Sequence, residues 1–222
     1  MHKVCFEKYP CVLLCEHPDW LMDERHVNII HNIVMENNFK TIVEIGTYIG
    51  YSTCALLAAL DKGKQFNLHL VETNKEVIDK HLSKVTGLCT NKGAIKIHNS
   101  KSNFFWSSAC PKDIDLVIID ADHKISGAST DLFYTLKNNI PNIISHDSNA
   151  WVNKEWGKYC YGSKIIADIL KSHKDFKVLE DKESRVGERT FRGLVYATKE
   201  DREFHKADKI FYDSCIGTKE LC

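Results

Sequence analysis

The chain has 222 residues, 43% of them hydrophobic, which is enough to bury one substantial core and fits a single α/β domain. Lysine plus arginine equals aspartate plus glutamate at 30 each, so no global field draws the chain to nucleic acid or to an anionic membrane. No apolar run approaches the roughly 20 residues that span a bilayer, and charge and Pro10 break up the apolar start MHKVCFEKYPCVLLCEH, so the expectation is a soluble cytoplasmic protein.

The nine cysteines are scattered, odd in number and never spaced CxxC, which reads as free thiols in a reducing compartment. Cys5, Cys11 and Cys15 form the closest grouping, but a structural zinc site usually needs four ligands at tight spacings.

In chain order, residues 23–38 (DERHVNIIHNIVMENN) space Val27, Ile30 and Val34 as one helical face behind an acidic start, with His26 and His31 read as surface residues. From Thr41 the pattern changes to short β-branched runs: TIVEIG at 41–46, NLHLVE at 67–72, AIKIH at 94–98, IDLVIID at 114–120 and NIISH at 142–146. Helical candidates at 51–61, 74–86, 101–108 and 125–139 alternate with them, the signature of βαβ units. YGSKIIADILKSH then predicts a helix, followed by strands FKVLED at 176–181 and TFRGLVYAT at 190–198, joined by a charged, glycine-containing turn as antiparallel neighbours. The stretch from Lys199 is charged and reads as a helix or a tail. The expected fold is a doubly wound, seven-stranded, mostly parallel sheet with the last strand antiparallel. It makes one domain over 1–222: a helical cap to 40, a core over 41–198 and a tail after it.

In such a sheet the ligand sits beyond the carboxyl ends of the strands, at the switch point beside the first strand. That loop reads Glu44, Ile45, Gly46, Thr47, Tyr48, Ile49, Gly50, Tyr51, Ser52, directly before a helix. Gly46 permits a turn without a Cβ clash and Gly50 a close approach, while the helix start offers N–H groups to a carboxylate. This suits the methionine end of S-adenosylmethionine. A nicotinamide loop would read GxGxxG, but position 48 is tyrosine and the third glycine is missing. Glu72, with Thr73 beside it, ends the second strand where a carboxylate can accept both ribose hydroxyls. Asn99 and Ser100 close the third strand as partners for the adenine edge.

The fourth strand delivers Asp120, Ala121, Asp122 and His123, the fifth His146, Asp147, Ser148 and Asn149, all at the edge that carries the glycine loop. Two carboxylates with neutral oxygen donors suit a hard cation such as magnesium. A bound cation would lower the pKa of an acceptor hydroxyl.

EIGTYIGYS resembles the motif of the cation-dependent O-methyltransferases of the catechol and caffeoyl-coenzyme A type, within the class I S-adenosylmethionine-dependent methyltransferases. The likeness runs over roughly residues 25–198 in order of elements and is specific in three short places. It implies that Glu44, Gly46, Tyr48 and Ser52 surround the methionine part of the cofactor and that Glu72 binds ribose. It further matches Asp120 and Asp147 to the family's two metal-binding aspartates and Trp151 to a tryptophan after the second. Two residues depart from the pattern: His123 stands where the family has lysine, and Ser148 where it has asparagine, with Asn149 one place along. A histidine can serve as general base near neutrality, so His123 is the expected base, Asp120 and His146 its catalytic companions, and Asp120, Asp147 and Ser148 the metal ligands. His146 is alternatively the base or the partner of Asp147, as in other class I methyltransferases with DADH-like and HD pairs.

The expected function is methyl transfer to a hydroxyl of a small molecule, in a chain whose apolar N-terminal helix could serve a homodimer. Acceptor contacts are expected from residues 1–25, the 147–160 loop with Trp151, Trp156 and Tyr159, and the C-terminal tail. Trp20, Trp106 and Trp156 are otherwise read as packing residues. The rivals are a nicotinamide-dependent reductase and a non-catalytic S-adenosylmethionine-binding module. A nucleic-acid methyltransferase would want a basic, aromatic-lined face and an NPPY-like segment, and the chain has neither.

Overall fold

The computed structural model describes residues 22–60, 65–89, 93–149, 161–182, 185–186 and 190–216. A capped helix α1 (Glu24–Glu36) leads in, with the Asp23 side chain accepting from the Arg25 N–H at 2.6 Å. Then follow β1 (Thr41–Ile45), α2 (Tyr51–Leu60), β2 (Asn67–Glu72) and a helix α3 that runs as Lys75–Val77, a π-helical stretch Ile78–Leu82, and Ser83–Gly87. Next come β3 (Ala94–Asn99) and α4 (Ser102–Phe104, continued as a π-helical stretch Phe105–Ala109). The sheet resumes with β4 (Leu116–Ile119), α5 (Ile125–Lys137), β5 (Asn142–His146), α6 (Tyr161–Ser172) and β6 (Lys177–Asp181). A short hairpin of β7 (Arg185–Val186) and β8 (Thr190–Phe191) precedes β9 (Leu194–Thr198) and α7 (Asp201–Ile216).

The seven-stranded sheet has the order β3-β2-β1-β4-β5-β9-β6. The first five strands are parallel, and β9 lies antiparallel between β5 and β6, as the sequence predicts. The run at 190–198 is not one strand: its first two residues pair with β7, and Arg192 and Gly193 separate them from β9. The stretch from 199, open between helix and tail on sequence, is a helix to Ile216.

The period of two on each strand divides the interior into two layers. Ile42, Leu116, Ile118, Ile144, Leu194 and Tyr196 face α1, α2 and α7; their neighbours Val43, Val117, Ile119, Ile143, Val195 and Ala197 face α4, α5 and α6. Strands buried on both faces are continuous in apolar residues, which is why they stand out in the sequence. Helix α1 packs on both α2 and α7, so it is buried almost all round. His26 and His31, expected at the surface, are buried: α1 is packed against both α2 and the C-terminal helix, and His26 meets His146 at the end of β5 and Asp181 at the end of β6.

Cys110 carries a free thiol as expected, whereas Cys54, buried on α2, is disulfide-bonded. That bond departs from the all-thiol reading: pairing of sulfurs depends on which chain segments meet in space, and scattered spacing does not encode it. No helix among the described residues is long and apolar enough to cross a membrane.

Candidate active site

The chain crosses from one half of the sheet to the other between β1 and β4, and a cavity of about 810 Å³ opens there over the carboxyl ends of the strands. The loop after β1 forms its floor. Gly46 has φ +83°, and a Cβ on it would lie 2.3 Å from the Asp120 carbonyl oxygen and 2.5 Å from Ala121 Cα, so glycine lets this loop touch the end of β4. Tyr48 takes φ +44° and its N–H donates to Glu72 Oε2 at 2.9 Å. The other oxygen of Glu72 accepts from the N–H groups of Thr73 and Asn74, each at 2.8 Å. Backbone donors thus set the carboxylate at the mouth of the cavity before any ligand arrives.

Gly46, Tyr48, Glu72, Thr73, Ser100 and Asp120 line the cavity, as do His123, His146 and Asp147. The remaining sequence candidates lie behind the wall. Glu44 is fully buried, and its two oxygens accept from the hydroxyls of Ser52 and, at 2.7 Å, Thr53. It therefore ties the end of β1 to the first turn of α2. Burial pushes its carboxyl up to about 7 against the lowering effect of the two hydroxyls. Gly50 closes the loop by donating its N–H to Thr47 O at 2.8 Å. Thr47 is itself buried, with its hydroxyl oxygen unbonded. Asn99 donates to the carbonyls of Glu72 and Thr73 at 3.2 and 2.9 Å, bracing the loop that carries the Glu72 carboxylate.

At the other end of the cavity β4 and β5 bring two carboxylates and two histidines together. His146 Nδ1 is 3.5 Å from Asp120 Oδ2 and 3.3 Å from Asp147 Oδ1. His123 Nε2 is 3.4 Å from Asp147 Oδ2 and 3.9 Å from Asp120 Oδ1. Asp147 sits in the left-handed region at φ +60°, which turns its side chain back over the end of the sheet. Burial alone would raise its pKa, but His146, Arg192 and His123 hold it down at about 2. For His146 burial acts against the charged form, and the carboxylates of Asp147 and Asp120 more than offset it, leaving its pKa above the ordinary value.

Sequence reasoning missed Arg192. It is 4% exposed, lines the cavity, and donates from one terminal nitrogen to both oxygens of Asp147, each at 2.7 Å. The available signal was a lone charge inside the apolar run TFRGLVYAT, followed by a glycine that breaks the strand. Asp120, His146 and Asp147 place one ligand atom each within 4.8 Å of one another, so the metal-type cluster of the described residues includes His146. Ser148, the expected third ligand, turns to Glu180 Oε1 at 3.5 Å, and Asn149 donates to the Lys182 carbonyl at 3.2 Å; both leave the cavity toward β6. Trp151, Trp156 and Tyr159, like residues 1–21, lie outside the described residues. Trp106 is the packing residue expected, donating from its indole to Asp131 at 3.0 Å.

The strand order, the antiparallel β9 and the cradle of glycine loop and acidic strand end define the class I methyltransferase fold. Residues 43–147 match the family model of a methyltransferase domain, a span that takes in the glycine loop, Glu72 and the acidic cluster. The match covers just under half of the chain, and the fold around it is that of the class I methyltransferases. Among solved structures it is similar to the O-methyltransferase of tomaymycin synthesis from Streptomyces achromogenes in complex with SAM, at 15% identity over 89% of this chain and 90% of that one, with TM-score 0.68. It is similar also to the SAH-bound methyltransferase PaMTH1 of Podospora anserina, at 15% identity over 90% of each chain with TM-score 0.69. A third is the O-methyltransferase from Bacillus cereus in complex with SAH, at 16% identity over 87% and 89% with TM-score 0.65. At these identities the likeness is one of fold. A search of curated protein sequences finds no match.

Proposed function

We propose that the chain, acting as one domain over 1–222, transfers the methyl group of S-adenosylmethionine to a hydroxyl oxygen of a small-molecule acceptor in the cytoplasm. The observation that carries this reading is a single cavity with Glu72 and the glycine loop at one end and Asp120, His123, His146 and Asp147 at the other. The first end suits the cofactor and the second deprotonates an acceptor. The family match argues against the nicotinamide reductase, and the charged cluster against a binding module without turnover.

When bound, S-adenosylmethionine supplies an activated methyl group on a positively charged sulfur. Glu72 accepts the ribose hydroxyls, its present Tyr48 contact fixing the carboxylate's direction. The loop over Gly46–Gly50 and the amino end of α2 receive the methionine carboxylate. The acceptor hydroxyl sits over Asp120, and its proton passes to the histidine pair, whose positive charge Asp120 and Asp147 then stabilise. The freed oxygen forms its bond to the methyl carbon while the carbon–sulfur pair returns to sulfur, a step that depends mainly on alignment. The cluster also fits a divalent cation held by Asp120 and His146, with Asp147 shared with Arg192. When bound there, such an ion would make the acceptor hydroxyl more acidic.

The test is calorimetric titration of S-adenosylhomocysteine into purified protein, with and without magnesium and after chelation. Saturable heat supports the reading, and none from folded protein overturns it. Glu72→Ala is expected to weaken that binding by about 10- to 100-fold, since charge-assisted hydrogen bonds contribute about 1.5–3 kcal/mol. Its melting temperature should stay close to the parent's; unchanged affinity would remove the ribose assignment.

A further inference from the structure

Arg192 lines the cavity at its acceptor end, yet the methyl transfer described above gives it no role. Its burial is built into the backbone. The carbonyl of Gly193, next in the chain, accepts from the Ser148 N–H at 3.2 Å, and a Cβ on Gly193 would fall 2.2 Å from Ser148 Oγ and 2.6 Å from the Asn149 nitrogen. Only glycine lets the segment before β9 press this closely on the loop after β5. That contact carries the guanidinium to Asp147, where one terminal nitrogen donates to both carboxylate oxygens at 2.7 Å. On the same loop, Ser148 and Asn149 are turned to Glu180 Oε1 and to the Lys182 carbonyl.

This arrangement works against a divalent ion at the cluster. A hard cation takes oxygen ligands at about 2.0–2.6 Å and draws its affinity from carboxylates whose charge is not already matched. Both oxygens of Asp147 have an arginine N–H on them, and each also has a histidine ring nitrogen nearby, at 3.3 and 3.4 Å. An ion on either oxygen would lie within about 5 Å of the guanidinium nitrogen. Arginine keeps its charge throughout the pH range of a folded protein. Asp147 and Arg192 are both buried, so water does little to screen the repulsion between the two cations. That leaves Asp120 and His146, one carboxylate and one imidazole, a set short of the charge a hard cation wants.

We propose that Arg192 is the resident cation of the acceptor end: it competes with a divalent ion for Asp147 and supplies a fixed positive charge at the cavity wall in its place. This rests on the acceptor site assigned above. An ion can still sit on Asp120 and His146, but weakly while Arg192 is in place. Arg192 acts through Asp147 as a positioning residue, holding that carboxylate over the end of the sheet whether or not metal is supplied.

The experiment is titration of manganese(II) into the full-length protein, with the free ion followed by electron paramagnetic resonance. Arg192→Leu is expected to bind manganese about 10- to 100-fold more tightly than the parent, the range over which residues behind the ligands alter metal affinity. Asp147→Asn in the Arg192→Leu background should abolish the gain, because the gain comes through that carboxylate. Manganese should also raise the melting temperature of Arg192→Leu and leave that of the parent nearly unchanged. Equal or weaker binding by folded Arg192→Leu overturns the proposal, and so does a gain that survives Asp147→Asn. If Arg192→Leu does not fold, Arg192→Gln, which keeps a donor toward Asp147 and removes the charge, should show the same gain. Micromolar binding by the parent itself overturns the proposal without any variant. Failure of the parent to bind S-adenosylhomocysteine would count against the methyl-transfer reading and leave the manganese comparison standing.

Discussion

Replacing Gly46 with alanine is expected to destabilise the fold by about 2–5 kcal/mol and to abolish measurable S-adenosylhomocysteine binding. Two effects act together. A non-glycine residue at a left-handed φ costs roughly 1–2 kcal/mol. The new Cβ would also fall 2.3 Å from one backbone atom and 2.5 Å from another at the end of β4, and overpacking costs about 1–3 kcal/mol where neighbours cannot yield. Relief requires moving the β1–α2 loop away from Asp120, which pulls apart the two walls of the cavity. Gly50→Ala is the matched control. Its φ is also positive, at +88°, but the nearest atom to its Cβ would be the tip of Leu82 at 3.1 Å, a side chain that can rotate aside, and the Thr53 contacts at 3.6 and 3.7 Å are ordinary van der Waals distances. It should cost about 1–2 kcal/mol and leave ligand binding detectable. Denaturant unfolding and calorimetry on both variants separate the outcomes, and equal losses would mean that φ, not the contact with β4, is what Gly46 provides.

The second large effect is a pH dependence of stability centred on Glu44. Its carboxyl is raised from an ordinary 4.5 to about 7 by burial, so the folded protein holds a proton there that the unfolded chain releases. A raised carboxyl contributes stability that is fully present below the unfolded value and lost as pH rises through the folded one. The buried carboxylate should therefore cost about 3 kcal/mol by the alkaline side of neutrality. Glu44→Gln keeps the shape and never ionises. Relative to that variant, the parent protein should lose stability between about pH 4.5 and 7, in urea unfolding followed across that window. A flat difference would show Glu44 ionised throughout, with the hydroxyls of Ser52 and Thr53 sufficient to hold the charge.

Glu44 also marks where reading the chain and seeing the fold part company. Sequence pattern and family resemblance both put it beside the cofactor, because it leads directly into the glycine loop. Side chains alternate along a strand, however, and at position 44 the side chain points into the layer beneath α2. Asn99 and Ser148 follow the same logic: each is adjacent in sequence to a cavity residue and turned from it by local backbone direction. The π-helical stretches within α3 and α4 left no mark on the apolar period.

The sequence by itself determined the parallel core, the position of the cavity and most of the polar residues at its two ends. Each of these rests on short-range signals: apolar runs of strand length, glycines before a helix, and acids at strand ends. The tertiary structure alone decided what surrounds Asp147 and His146. Arg192 reaches Asp147 from beyond β8, His26 reaches His146 from the start of α1, and Asp181 meets His26 from the end of β6. Such contacts join residues 45 to 155 positions apart, and no local period records them. What brings them together is the burial of α1 and β9 on the same sheet, a packing decision made by the apolar faces of those elements rather than by the polar residues they carry.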